Sequence, residues 1–310
     1  MTIELQTFKN RFHGCKCDLF YLRGSILTAM DRIICVCGAG TMGSGIAQST
    51  AQAGFHTILY DVNTSMLEKA EDTIDSSLQM LVEKNKISAA DKEKIKSRLR
   101  FTVDMNDCIA DVFIEAIVEN ADIKAGLFNQ LNEINHSEVI FATNTSSLSV
   151  SEIAGKVMHP DRVIGMHFFN PAPVMKLVEV VKGIQTKQET VEAIILLAKQ
   201  MGKTPVLCKD APGFIVNHIA RPYYLEALRL IEQGISDYEQ IDQLLEATGF
   251  KMGPFKLMDL IGNDINYTVS CSVYEAMDRP ARLKPSFIQQ KKVANGELGK
   301  KTNKGYFNYG

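Results

Sequence analysis

Hydrophobic and polar positions alternate between two rhythms from residue 32 to about 207, short apolar runs and longer amphipathic stretches. Arg32–Cys37 is a β-branched and apolar run that ends in glycines, and the spacing predicts a strand there. Ile46–Gly54 reads as helix with Gly54 as a C-cap, and His56–Asp61 as the next strand. Asn63 or Thr64 can cap a long helix through about Glu83, and Ser88 opens a second, charged helix with Asp91 placed for a capping box. Val112–Ala116 and Val139–Thr143 are buried-strand runs with a helix near Asp122–Asn135 between them. Arg162–Met166, Lys176–Val181 and Thr204–Leu207 extend the series.

This βαβ alternation predicts an α/β fold of the Rossmann type, with a doubly wound, mostly parallel sheet. The rhythm changes at Asp210-Ala-Pro-Gly213. Beyond it the pattern is helical: Phe214–Gln233, Asp237–Thr248, Pro254–Met277 with a break at Gly262, and Pro285–Ala294. The expected organisation is a nucleotide-binding domain over 30–210 and an all-helical domain over 211–310. Residues 1–29 show no periodicity and read as an extension from an upstream start, with Met30 near the functional beginning. Their four basic residues (Lys9, Arg11, Lys16, Arg23) leave a targeting segment as the alternative.

Charge and cysteine content narrow the function classes. Lys+Arg number 34 and Asp+Glu 36, so no basic footprint for nucleic acid exists. The longest apolar runs, such as Ala193–Ala198, are too short to span a bilayer, so no membrane partner is expected. The seven cysteines are scattered, which predicts free thiols and a cytoplasmic protein. Cys35 and Cys37 read as small buried hydrophobes. His13, Cys15 and Cys17 cluster, but no second ligand pair at zinc spacing accompanies them, and no metal is expected.

Gly38-Ala39-Gly40-Thr41-Met42-Gly43 is a G-x-G-x-x-G between a strand and a helix. In that context the first glycine permits a tight turn, the second lets the backbone approach a pyrophosphate, and the third lets helix and strand pack closely. The helix N-terminus then offers free N–H groups to phosphates. Asp61 follows 18 residues after Gly43, where a carboxylate can accept hydrogen bonds from a ribose. A 2′-phosphate there would meet like charge, worth on the order of several kcal/mol, and Val62-Asn63-Thr64 brings no arginine. The expected cofactor is NAD, not NADP.

The segment 165–180, GMHFFNPAPVMKLVEV, places His167 after a strand, a turn at Pro171 and Pro173, and Glu179 on the returning strand. A carboxylate reaching one imidazole nitrogen would set the tautomer and favour the imidazolium. The other nitrogen could then serve as general base toward a hydroxyl, the proton partner that hydride transfer to NAD requires. Spacing alone leaves a coincidental His and Glu open. His56, His136, His159 and His218 read as surface, turn, loop and helix residues.

Together with Asn144-Thr-Ser-Ser-Leu148 and Ala211-Pro-Gly-Phe-Ile-Val-Asn217, that segment closely resembles the 3-hydroxyacyl-CoA dehydrogenases, most of all the bacterial 3-hydroxybutyryl-CoA enzymes, from about residue 31 to 309. The resemblance implies His167 as catalytic base, Glu179 as its partner, Ser146 near substrate oxygen and nicotinamide, and Asn217 orienting the substrate. Without it, Ser146 reads as a helix cap and Asn217 as a polar helix-start residue. It also implies Asn144, Glu119, Lys124, Asn170 and Lys301 near the cofactor, with a surface-solvated role as the alternative for Lys301. It further implies that the lysine-rich helices at 64–98 cover an acyl-CoA, and that the helical domain makes a homodimer or larger assembly. The expected substrate is a short 3-hydroxyacyl-CoA. A longer or carboxylated acyl group is the alternative, and a non-catalytic dinucleotide-binding relative the remote one.

Overall fold

The computed structural model describes residues 32–310, together with a two-residue antiparallel pairing of β1 (Tyr21–Leu22) with β2 (Ser25–Ile26). The readings made for 1–29, for Met30 and for the His13, Cys15 and Cys17 cluster otherwise lie outside the described residues.

β3 (Ile33–Cys37) is an interior strand of an eight-stranded sheet. Its residues alternate: Ile34 and Val36 enter one apolar core, Cys35 and Cys37 the other. That two-sided burial is what a near-continuous apolar run in a parallel strand requires. α1 (Thr41–Gln52), β4 (His56–Tyr60), β5 (Leu99–Thr102), β6 (Val112–Glu115), α4 (Ala121–Ile134), β7 (Ile140–Thr143), α5 (Val150–Ala154), β8 (Val163–Phe168), β9 (Leu177–Lys182), α6 (Gln188–Gln200) and β10 (Thr204–Lys209) complete the layers. The order is β10-β9-β8-β7-β6-β3-β4-β5. Every pairing is parallel except β8 with β9, which is antiparallel. On one face Phe113, Phe128 and Phe141 stack at 5.0–5.6 Å between centroids, and each buried ring contributes about 1.5–3 kcal/mol.

α2 (Thr64–Glu83) and α3 (Ala89–Lys96) form the excursion between β4 and β5. Asn63 caps α2, and Ser88 with Asp91 makes the expected capping box on α3. Leu67, Ala70, Ile74 and Leu78 form the buried stripe of α2. Asp75 joins the two helices through Lys92 and Lys96 at 3.1 and 2.7 Å. The edge strand β5 was not anticipated: Leu-Arg-Phe-Thr buries only Thr102 fully, so it lacks the apolar run of its neighbours. α1 begins five residues earlier than its apolar pattern, directly on the glycine loop. α6, too, was read only as an apolar run.

After β10 the chain is helical: α7 (Val216–Glu232), α8 (Tyr238–Ala247), α9 (Pro254–Ile261), α10 (Asn263–Ala276) and α11 (Phe287–Ala294). The break at Gly262 is real, with φ 102°, a left-handed conformation that favours glycine. α9 starts on Gly253-Pro254, which offers no side-chain cap. Instead the buried carboxylate of Asp242 on α8 accepts the N–H groups of Phe255 and Lys256, both at 2.9 Å. Asp242→Ala would strand two donors at a buried helix start, and a loss of about 2–4 kcal/mol is expected. Urea unfolding of the two proteins checks it, with a change under about 0.5 kcal/mol contradicting the capping role.

Candidate active site

The loop Gly38-Ala39-Gly40 leaves β3 and runs into α1, whose N-cap is Gly40 with no side-chain cap bond. The first N–H groups of α1, on Thr41, Met42 and Gly43, therefore stand at a positive helix end with no intrahelical acceptor. A Cβ on Gly43 would lie 1.6 Å from the Gly38 carbonyl oxygen, whereas one on Gly40 would meet nothing within 4 Å. Close packing thus demands the third glycine, and open space fronts the second, as a pyrophosphate needs. Met42 packs its side chain on the core while Thr41 is exposed, so what they offer a phosphate in common is backbone. Asp61 lies just past β4. Its Oδ2 accepts the Ala39 N–H at 2.7 Å and its Oδ1 that of Asn63 at 2.9 Å. The carboxylate braces the loop from the end of the neighbouring strand. These residues fit a dinucleotide.

β6 ends in Glu115, fully buried, against the equally buried Lys124 of α4 at 2.5 Å. Lys124 also meets Glu119 at 3.1 Å. Burial pushes the Glu115 carboxyl above its usual range despite Lys124, the Thr143 hydroxyl and the Ile117 N–H. Glu119 is pulled below its range: burial raises it, but Lys124 and the hydroxyls of Thr145 and Ser147 outweigh that. Glu119 also accepts the Ser146 N–H at 3.1 Å. The loop after β7 is thereby held on a carboxylate, with Ser146 half-buried at its tip. Ser149, not Ser146, caps α5, so capping leaves Ser146 free for other work.

His167 on β8 and Glu179 on β9 stand directly opposite in the antiparallel register. Nδ1 of His167 lies 2.7 Å from Glu179 Oε2, with the carboxylate side chain 1% exposed. The other oxygen, Oε1, accepts the N–H groups of Ile215 and Val216 at 3.0 and 2.8 Å. Burial raises the Glu179 carboxyl, but His167 and these two N–H groups hold it below its ordinary value. An ionised carboxylate favours the tautomer with its proton on Nδ1, which leaves Nε2 able to accept one. Phe169 and Phe214 pack on the ring, with centroids at 4.6 and 5.8 Å.

Asn144 sits at the end of β7 and accepts the Phe168 N–H at 2.8 Å, tying the Ser146 loop to the His167 strand. Asn217, in the first turn of α7, donates to the Ser146 carbonyl at 3.4 Å. His167, Glu179, Asn144, Ser146, Asn217, Glu119 and Lys124 are thus brought together. Asn170 is exposed, and lines a cleft of about 220 Å³ with Gly40, Thr41, Gln48, Lys69 and Pro171. α2 forms a wall of that cleft, while His167 and Ser146 are not among its lining. Lys301 is not brought in: it pairs with Asp264 of α10 at 2.6 Å and makes no bond to the glycine loop, Asp61 or Glu119. Sequence reasoning missed Glu115, Thr145 and Ser147. Glu115 did carry a signal, since a charge inside an apolar strand is rarely buried without a partner.

Fold and site together define a dehydrogenase that uses a nicotinamide dinucleotide. Residues 33–211 match the 3-hydroxyacyl-CoA dehydrogenase NAD binding domain and 213–309 the C-terminal domain of that family. The chain belongs to the 3-hydroxyacyl-CoA dehydrogenase family. It is 45% identical over 278 residues to a 3-hydroxyadipyl-CoA dehydrogenase of Escherichia coli K12, covering 89% of this chain but only 58% of that protein. It is 40% identical to the human mitochondrial hydroxyacyl-coenzyme A dehydrogenase, covering 89% of this chain and 90% of the other. The structure of (S)-3-hydroxybutyryl-CoA dehydrogenase PaaH1 from Ralstonia eutropha superposes with a TM-score of 0.86 at 38% identity, over 90% of this chain and 99% of that one.

The doubly bonded Glu179 makes a pH-linked prediction. A carboxyl held below its unfolded value stabilises the fold fully above about pH 4.3 and loses that contribution as pH falls through its lower folded value. Glu179→Gln should therefore flatten the acid limb of the stability–pH profile below that pH. It should also lower kcat about 10²–10⁴-fold, by freeing the imidazole to adopt the wrong tautomer. Chemical denaturation from pH 3 to 7, with kinetics at pH 7, checks both, and an unchanged acid limb would remove the carboxylate reading.

Proposed function

We propose that the protein interconverts (S)-3-hydroxyacyl-CoA and 3-oxoacyl-CoA. The observation that carries this is the 2.7 Å contact of His167 with Glu179 beside the Ser146 loop. NAD, lying along the glycine loop, would supply the hydride acceptor in one direction and, reduced, the donor in the other.

In the oxidising direction Nε2 of His167 takes the proton of the substrate C3 hydroxyl. Glu179 faces the imidazolium so formed and keeps its Nδ1–H directed. The Ser146 hydroxyl and the Asn217 amide hydrogen-bond the C3 oxygen as its charge changes. Phe169 and Phe214 limit water around the imidazole. In the reducing direction the same imidazolium returns the proton to the C3 oxygen.

The acyl-CoA lies along the cleft between the glycine loop and α2, where Lys69 faces its anionic phosphates. The similar proteins' names divide over the acyl group: a four-carbon chain in one case, a six-carbon chain with a second carboxylate in another. Both keep the C3 chemistry. A cytoplasmic homodimer joined through the helical domain belongs to the same reading. It is supported by the free thiols of Cys35, Cys37, Cys108, Cys208 and Cys271, and by exposed Ile219, Leu244, Phe250, Leu260 and Ile265 on that domain.

His167→Gln should lose most of kcat for NADH-dependent reduction of acetoacetyl-CoA, about 10²–10⁴-fold, with NADH binding by fluorescence titration retained. Full activity in that variant would end the role given to His167. Asp61→Ala should narrow the NADH-over-NADPH preference by roughly tenfold or more, through lost ribose bonds and lost repulsion of a 2′-phosphate. The ratio of kcat/KM for the two cofactors is the readout, and an unmoved ratio would count against Asp61 as selector.

A further inference from the structure

The helical domain buries a cation that nothing described in it neutralises. Arg221 follows Asn217 by four residues on α7 and is 3% exposed. Its Nε donates to the Asn217 carbonyl at 3.1 Å. Its Nη1 donates to the Asn266 carbonyl at 2.9 Å and the Ser270 hydroxyl at 2.8 Å. The guanidinium carbon stands 5.0 Å from the centre of the Tyr224 ring. Every one of these partners is neutral. Burial pushes the guanidinium down to about 10, with only the Tyr224 phenol acting against it. Arg162, also buried, differs in having Asp161 and Glu138 nearby.

A donor without an acceptor adjoins this uncompensated charge. Asn266 is 2% exposed, and its Nδ2 has no partner among the described residues although its Oδ1 accepts from Gln289 at 3.1 Å. A buried guanidinium without an anion and a buried amide N–H without an acceptor are both costly, and both vanish if a carboxylate arrives. An uncharged acyl tail would instead call for apolar side chains at this point. The position suits a substrate end. Asn217 reaches the Ser146 loop, and Arg221 lies four residues farther along the same face, a rise of about 6 Å. In the reading above, Asn217 meets the C3 oxygen, and a chain a few bonds longer than C3 covers that span.

We propose that Arg221, with Asn266, receives a terminal carboxylate on the acyl chain, so that the preferred substrates are CoA thioesters of 3-hydroxy dicarboxylic acids near six carbons long. This rests on the His167 reading of the site and adds the specificity to it.

The test compares 3-oxoadipyl-CoA with 3-oxohexanoyl-CoA, equal in carbon number and differing in the terminal group, with NADH and the full chain. The carboxylated compound should win in kcat/KM by on the order of 100-fold, mostly through KM, as a desolvated charge pair implies. Arg221→Met should bring that ratio close to one, and Arg221→Lys should keep part of it. Equal or better use of 3-oxohexanoyl-CoA by the unaltered enzyme, or a ratio that Arg221→Met leaves in place, overturns the proposal. Should Arg221→Met fail to fold by circular dichroism, the unaltered ratio and the lysine variant decide. Absence of turnover with every thioester, acetoacetyl-CoA included, would remove the His167 reading and this proposal with it.

Discussion

One carboxylate joins the two halves of this molecule. Glu179 sits on the one antiparallel pairing of the eight-stranded sheet and spends one oxygen on His167 and the other on the N–H groups that begin α7. Ile215, the N-cap of α7, has no side-chain cap of its own. The helix start is therefore completed from the other domain, by the same group that orients the imidazole. A displacement of α7 would cost an N-cap, worth about 1 kcal/mol or more, and would also disturb the carboxylate that orients the His167 ring. Asn217 is carried on that first turn, so its distance to the Ser146 loop is set by the same contact.

The cofactor side shows a related economy of charge. Glu115 and Lys124 are both fully buried, and such a pair contributes little net stability by itself because desolvation offsets attraction. What it does is fix geometry. Lys124 also holds Glu119, and Glu119 holds Thr145, Ser146 and Ser147. The loop that carries Ser146 is thus anchored through three ionisable groups to the carboxyl end of β6, where ligands of open α/β sheets bind. Asn144 fastens the same loop to β8. The hydroxyl of Ser146 is then presented on a preorganised backbone, which in the proposed reaction leaves little reorganisation to be made.

Much of this was legible in the residues, for identifiable reasons. Strands buried on both faces write themselves as apolar runs, and the glycine loop carries its meaning through its strand–turn–helix setting. The His167–Glu179 pair was visible as a possibility because a short turn between two strands makes opposite residues predictable. Its second function, capping α7, was not, because no local pattern near Ile215 announces a cap supplied from 36 residues away. The edge strand β5 escaped for want of apolar burial, and Glu115 because a lone charge in a strand does not say which cation faces it. Lys301 shows the converse. The resemblance put it near the cofactor, whereas the structure ties it to Asp264, and its chain position alone could decide neither.

Lys124 and Arg221 mark the two ends of this logic. Both are buried cations, yet Lys124 has two carboxylates and Arg221 has only neutral partners among the described residues. A cation satisfied by the protein shapes the ligand-free site and is already compensated when the ligand arrives. A cation left without an anion keeps its electrostatic demand in reserve, and a ligand that answers it gains interaction that an uncharged competitor cannot match. Discrimination built on apolar contacts is limited to about 1–3 kcal/mol per methylene, whereas a buried group left unpaired by the wrong substrate penalises it far more steeply. On the proposal made for Arg221, a fully compensated cation behind the Ser146 loop and an uncompensated one on α7 divide the labour between holding that loop and choosing the acyl group.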